Sequence, residues 1–172
     1  MIKLKNIIFE ILDNPYKYKH QFSTEIVDDE DEETGKTYKK EILCPVQIIH
    51  FLTEKGIPYL WYAKQSRYDN TTWEIAFGIE KSKDSRGTHH LDIGITKTGD
   101  VFRIFSTIID ITNSFIEYDD NYNEILRLIL TSEGDKRTQL YINKIIPRIE
   151  KFKLESKHTI GNETTITLIR YE

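Results

Sequence analysis

The apolar residues change period partway along this chain, and the change marks two halves. Up to residue 96 they come in extended runs separated by polar turns; from Val101 onward they fall mostly three and four apart. Residues 22–27 and 38–49 read as the two strands of a hairpin. Between them Asp28 to Glu33 and then Thr34-Gly35 form a charged turn, so residues 28–35 are expected to be an acidic loop kept mobile by self-repulsion. Residues 59–63 and 73–79 are rich in aromatic and β-branched side chains and predict two more strands, with the polar stretch 65–72 between them. Residues 81–89 read as a second loop. Leu91, Ile93 and Ile95 then alternate with polar or small residues as a half-buried strand. Ahead of all these, residues 5–12 predict a short helix that ends before Pro15, because the residue preceding a proline is pushed out of the helical region.

In the second half Val101, Ile104, Phe105, Ile108, Thr112 and Phe115 fall on one face of a helix. Gly99 supplies a tight turn before it, and Asp100 stands where an N-cap carboxylate would accept an orphan backbone N–H. Residues 125–130 are almost unbroken apolar, which predicts an interior strand covered on both faces. Strand, helix and strand make a crossover unit, expected to be right-handed. A second helix opens at Asp135, with Thr138, Tyr141, Ile142, Ile145, Ile149 and Phe152 on its buried face. Pro147 removes a backbone donor inside it and predicts a kink or an early end. Residues 164–171 close the chain as a strand. The expectation is one α+β domain over residues 1–172: a mixed, largely antiparallel sheet, hairpin-rich over 1–72 and βαβαβ over 73–172.

Composition narrows the function classes. A chain of 172 residues with 38% hydrophobic and 12% aromatic content can bury a proper core. A net charge of −4 argues against a dedicated nucleic-acid binder, whose footprint is a basic excess. Cys44 is the only cysteine, so no internal disulfide and no cysteine zinc site is expected; it reads as a small buried hydrophobe. The first ten residues carry neither a long apolar run nor a cleavage site, and no run is long enough to span a membrane. An intracellular protein, neither secreted nor membrane-spanning, is the expectation.

Candidate chemistry is sparse. His89 and His90 are adjacent, and neighbours on a strand point to opposite faces, so the pair does not make one metal site; His90 and Asp92 do share a face. The acidic run at 28–33 lacks the glycine and ligand spacing of a calcium loop. Ser106 and Ser132 lack a nucleophile-elbow context, and no phosphate-loop motif exists. Tyr141 has the chemistry of a general acid, but a core aromatic with its hydroxyl at the rim is the plainer account. Arg137, four residues earlier on the same side, suits an anion or a neighbouring loop. Tyr59, Trp61, Tyr62, Tyr68 and Trp73, interleaved with Lys64 and Arg67, would serve a sheet core, a protein interface or a surface for stacked bases.

Thr98-Gly99-Asp100 leads into Val101, Phe105 and Thr107, and Ile129 precedes Arg137, Leu140 and Tyr141. In this outline residues 73–172 resemble a group of small, mostly uncharacterised bacteriophage proteins that have no assigned activity. The same half is similar, more distantly, to GNAT-type acyltransferases, which combine antiparallel strands, a loop into a helix, a strand, and a helix bearing Leu-Tyr. That resemblance would make Tyr141 the acid for a departing thiolate and the backbone around Gly99 and Val101 a pyrophosphate cradle for acyl-CoA. Asp100 would place a carboxylate at that cradle, and the segment 97–102 lacks the second small residue. The resulting expectation is a non-enzymatic phage-type protein, without a cofactor or metal. It would act in the host cytoplasm or the virion through contact with another protein, a phage structural protein or a second copy, with Tyr59, Trp61, Tyr62, Arg67 and Trp73 at the interface. The alternatives are a divergent acyl-CoA-dependent N-acyltransferase and, third, a weak single-stranded nucleic-acid binder.

Overall fold

Alternation along the first half builds a sheet with one face for the core. The computed structural model describes residues 15–30, 37–83, 89–92, 101–119 and 124–171. The expected helix at 5–12, the tip of the acidic loop, and Gly99 and Asp100 lie outside the described residues. The strands are β1 (Tyr18–Glu30), β2 (Thr37–Leu52), β3 (Pro58–Gln65), β4 (Thr72–Lys83), β5 (His89–Asp92), β6 (Arg127–Glu133), β7 (Phe152–Ile160) and β8 (Glu163–Arg170). They join one sheet in the order β1-β2-β3-β4-β6-β8-β7, with β5 also on β4. All pairs are antiparallel except β4 with β6, which run parallel over the four pairs from Thr72↔Arg127 to Ile75↔Leu130. Beyond that point β5 takes the same strand from Ile79 onward. The chain is therefore α+β with a mixed, mostly antiparallel sheet, as the pattern implied.

Helix α1 (Val101–Asp119) covers the face that carries Ile49, Trp61, Ile75 and Leu128. Its buried residues include Ile104, Phe105, Ile108, Ile111, Phe115 and Ile116. Two threonines on that face also turn their hydroxyls to structural use. Thr107 Oγ1 donates to the Arg103 carbonyl and accepts the Tyr16 backbone N–H at 2.8 Å. Thr112 Oγ1 donates to the Ile108 carbonyl and accepts the Trp61 indole N–H at 3.1 Å. Buried polar groups placed this way fix the helix against the sheet at defined points. Near its N-terminus Arg103 pairs with Glu54 and lies 4.1 Å over the Tyr16 ring. Tyr18 donates its hydroxyl to Asp110 at 2.9 Å. Burial, with the Asp110 carboxylate beside it, pushes the Tyr18 phenol above its usual range.

The second helical segment starts as α2 (Asp135–Leu140), widens into a π-type turn over Tyr141–Ile145 and tightens to a 3₁₀ turn over Ile146–Arg148. Pro147 explains the early end, since it offers no backbone N–H and its ring crowds the preceding turn. Several sequence expectations need correction. The acidic turn does not begin at residue 28, because β1 stays paired with β2 through Glu30. The strand begun at Leu91 does not open the crossover: β5 lies antiparallel on β4, and β4 is the parallel neighbour of β6. A further strand, β7, stands between the second helical segment and β8. The helix does not reach Phe152, which opens β7. The loop expected from residue 81 begins later, because β4 runs to Lys83. The strand at 125–130 is not covered on both faces: in β6, Leu128 and Leu130 are buried while Ile129 is half-buried and Thr131 exposed, since both helical segments lie on one side of the sheet.

Candidate functional site

Tyr141, the one residue with a catalytic reading, is sealed. It lies in the π-type turn with 2% of its surface exposed, its ring 5.2 Å from that of Phe77. Burial raises its phenol well above the usual range, and the nearby Arg137 charge only partly offsets this. A phenol held neutral in an apolar setting gives up its proton reluctantly, which disfavours it as a general acid at neutral pH. The hydroxyls nearby have structural partners. Ser132 shares a 2.8 Å hydrogen bond with Thr138, whose hydroxyl reaches the Gly134 carbonyl at 3.2 Å. No cluster of three histidine, cysteine or carboxylate side chains suited to a metal occurs among the described residues. His90 and Asp92 lie on β5, and Cys44 on β2 opposite Glu25.

The aromatic set expected at an interface divides by strand parity. Tyr59, Trp61 and Trp73 point to the helix-covered face and are buried in the main core. Trp61 and Trp73 both pack on Phe115, with ring centroids 5.3 and 5.1 Å away. Bases cannot stack on rings placed this way. Tyr62, on the other face, is half-buried beside the small cluster of Val46, Ile48 and Leu60. Only the β3–β4 loop brings members of the set to the surface: the Arg67 guanidinium lies 4.5 Å over the exposed Tyr68 ring. Asp69 shapes that loop. It accepts hydrogen bonds from the Thr72 and Thr71 hydroxyls at 2.5 and 2.7 Å and from the Thr71 backbone N–H at 2.9 Å. Those bonds, the one from Thr72 foremost, hold its carboxyl down at about 2.

An apolar groove opens elsewhere, where the 3₁₀ turn meets the edge strand β7. Its volume is about 440 Å³, and its walls include Ile142, Ile146, Pro147, Phe152, Leu154 and Tyr171. Leu154 is 41% exposed and Tyr171 48%. The groove lies where the helical segment has ended, after its 3₁₀ turn at Arg148, and where β7 is the last strand in the sheet order, so Leu154 and Tyr171 stay exposed. Asn113 of α1 fixes the turn that forms its wall: its amide donates to the Arg148 carbonyl at 3.1 Å and accepts the Glu150 N–H at 2.9 Å. Sequence reasoning missed this surface because β7 reads as polar. The available signal was Lys144-Ile-Ile-Pro-Arg-Ile-Glu-Lys-Phe-Lys153, in which basic and apolar residues interleave around a proline.

Among the described residues no helix is long and apolar enough to cross a membrane. Neither a protein-family model nor a curated protein matches the chain.

Proposed function

We propose that this protein works by contact with another protein and not by catalysis, as a bacteriophage-type virion component or an accessory factor in the infected cell. The observation that carries this reading is the solvent-open apolar groove beside β7, on a chain whose one candidate acid is buried. Apolar side chains that a fold leaves uncovered next to a sheet edge suit a partner that buries them. The test is recovery of the tagged protein with purified particles or with complexes from infected cells. Leu154→Glu is expected to lose that association while Tyr141→Phe keeps it. Loss on Tyr141→Phe with the fold intact would count against a non-enzymatic role.

A second reading, a divergent N-acyltransferase, draws on the parallel pair β4 and β6. Ligands of open sheets gather at the carboxyl ends of parallel strands, and these two part company after Ile75 and Leu130. The backbone near Gly99 and Val101 would then hold the pyrophosphate of acyl-CoA, with Tyr141 as the acid. Calorimetry with acetyl-CoA decides this: no heat and no thermal shift at millimolar ligand removes it.

A further inference from the structure

The groove beside β7 has a charged rim as well as an apolar floor. In the ten residues from Lys144 to Lys153, four are basic (Lys144, Arg148, Lys151 and Lys153) and one, Glu150, is acidic, in a chain whose net charge is −4. Lys144, Lys151 and Lys153 are exposed. Glu155, the next acid along β7, is engaged with Arg127 at 3.3 Å. Lys153 itself lines the groove and Lys151 adjoins its Tyr171 edge, so basic side chains border it on a chain of net negative charge.

Lys151 adds a second observation. It has φ 61°, the only positive φ at a non-glycine among the described residues. Its carbonyl accepts the Tyr171 N–H at 2.9 Å, at the groove's edge. A left-handed turn there favours glycine, so the chain keeps a side chain at this edge at a conformational cost. The strand's own design limits what can dock. β7 carries an irregularity between Leu154 and Ser156, which interrupts continuous strand addition along the edge. A segment that enters here is guided by side chains in the groove and by the rim, more than by a long backbone ladder.

Resting on the contact function above, we infer that the groove between the 3₁₀ turn and β7 receives a short apolar segment bearing carboxylates from a partner protein. Apolar side chains of that segment fill the space over Ile146 and Phe152, and its acidic groups face Lys151 and Lys153.

The test uses a fluorescein-labelled synthetic decapeptide alternating leucine and glutamate, and its counterpart with lysine for glutamate, read by fluorescence polarisation on the full chain. The glutamate peptide is expected to saturate, to weaken several-fold between 50 and 300 mM NaCl, and to bind at least tenfold tighter than the lysine peptide. Lys151→Glu/Lys153→Glu, with unchanged thermal unfolding, is expected to weaken it at least tenfold, and Leu154→Glu to abolish it. Lys151→Gly is expected to weaken binding without loss of stability. Absence of saturation at 1 mM, equal binding of the two peptides, or indifference to the charge reversal overturns the inference. So does stronger competition by decanoate than by unlabelled glutamate peptide, which would assign the groove to a lipid carboxylate. The particle-association assay separates the two levels. If Leu154→Glu loses association while Lys151→Glu/Lys153→Glu keeps it, the contact function stands and the acidic partner falls; if both variants associate normally, contact at this groove falls as well.

Discussion

Replacing Thr112 by valine removes one oxygen from the centre of the core and keeps its shape. In the native chain that oxygen accepts the Trp61 indole N–H at 3.1 Å, and both residues are buried. The Ile108 carbonyl, which Thr112 Oγ1 also bonds at 2.7 Å, sits in a continuous helix where backbone donors are at hand. The loss therefore falls on the indole N–H, left without its acceptor in an apolar site. Orphaning a buried neutral donor costs about 1–3 kcal/mol. For a chain of this length each kcal/mol lowers Tm by about 2–4 °C, so a drop of several degrees is expected. Urea titrations followed by circular dichroism should show a lower midpoint with an unchanged slope. Trp61→Phe and the double variant complete the cycle, with a coupling energy of about 0.5–2 kcal/mol expected between the two sites. Additivity to within about 0.3 kcal/mol, or a Thr112→Val midpoint equal to that of the native chain, would refute the placement of Trp61 as an anchored core residue. The same placement predicts that acrylamide scarcely quenches tryptophan fluorescence in the folded protein, since Trp73 is buried too.

Three further outcomes follow from the geometry. Asp69→Asn probes the β3–β4 loop: the native carboxyl lies at about 2, below its ordinary 3.8, so the stability it supplies is fully present above about pH 4–5 and fades as pH falls through 2. The stability gap between native and variant chains in paired urea titrations should hold from neutral pH down to about pH 5 and close below it. Asn113→Ala removes both bonds that fix the turn after α2; a loss of about 1–3 kcal/mol is expected, together with faster amide exchange over residues 146–150. Tyr141→Phe should unfold within about 1 kcal/mol of the native chain, whereas Tyr141→Ala, which empties the space beside Phe77, should cost about 3–5 kcal/mol.

Much of the fold was legible from period alone. The three-and-four spacing from Val101 to Phe115 marks a helix because only one stripe of it meets the sheet, and α1 occupies that span. Strands β3 and β4 announced themselves through aromatic and β-branched residues. Strand β7 did not, because an edge strand with exposed side chains has no buried set to impose alternation: from Lys153 to Ile160 every residue is exposed. Residues 125–130 misled in the other direction. An apolar run reads as doubly covered, yet Leu126, just before β6, is exposed and Ile129 on the face away from the helices is only half-buried. The candidate site was less legible still. Aromatic residues at 59, 61 and 73 carry the same letters in a core as at an interface, and only strand parity, which depends on where the helices lie, sends them inward. The groove arises from two endings that composition does not show together, the helical segment stopping at Arg148 and the sheet stopping at β7.

The account stands most directly on one comparison: association with purified particles or infected-cell complexes, measured side by side for Leu154→Glu and Tyr141→Phe after both are shown to fold. The groove variant should fail to associate while the tyrosine variant matches the native chain. Retained association of Leu154→Glu with loss in Tyr141→Phe would contradict it, and would move the working surface from the edge of the sheet to the buried turn.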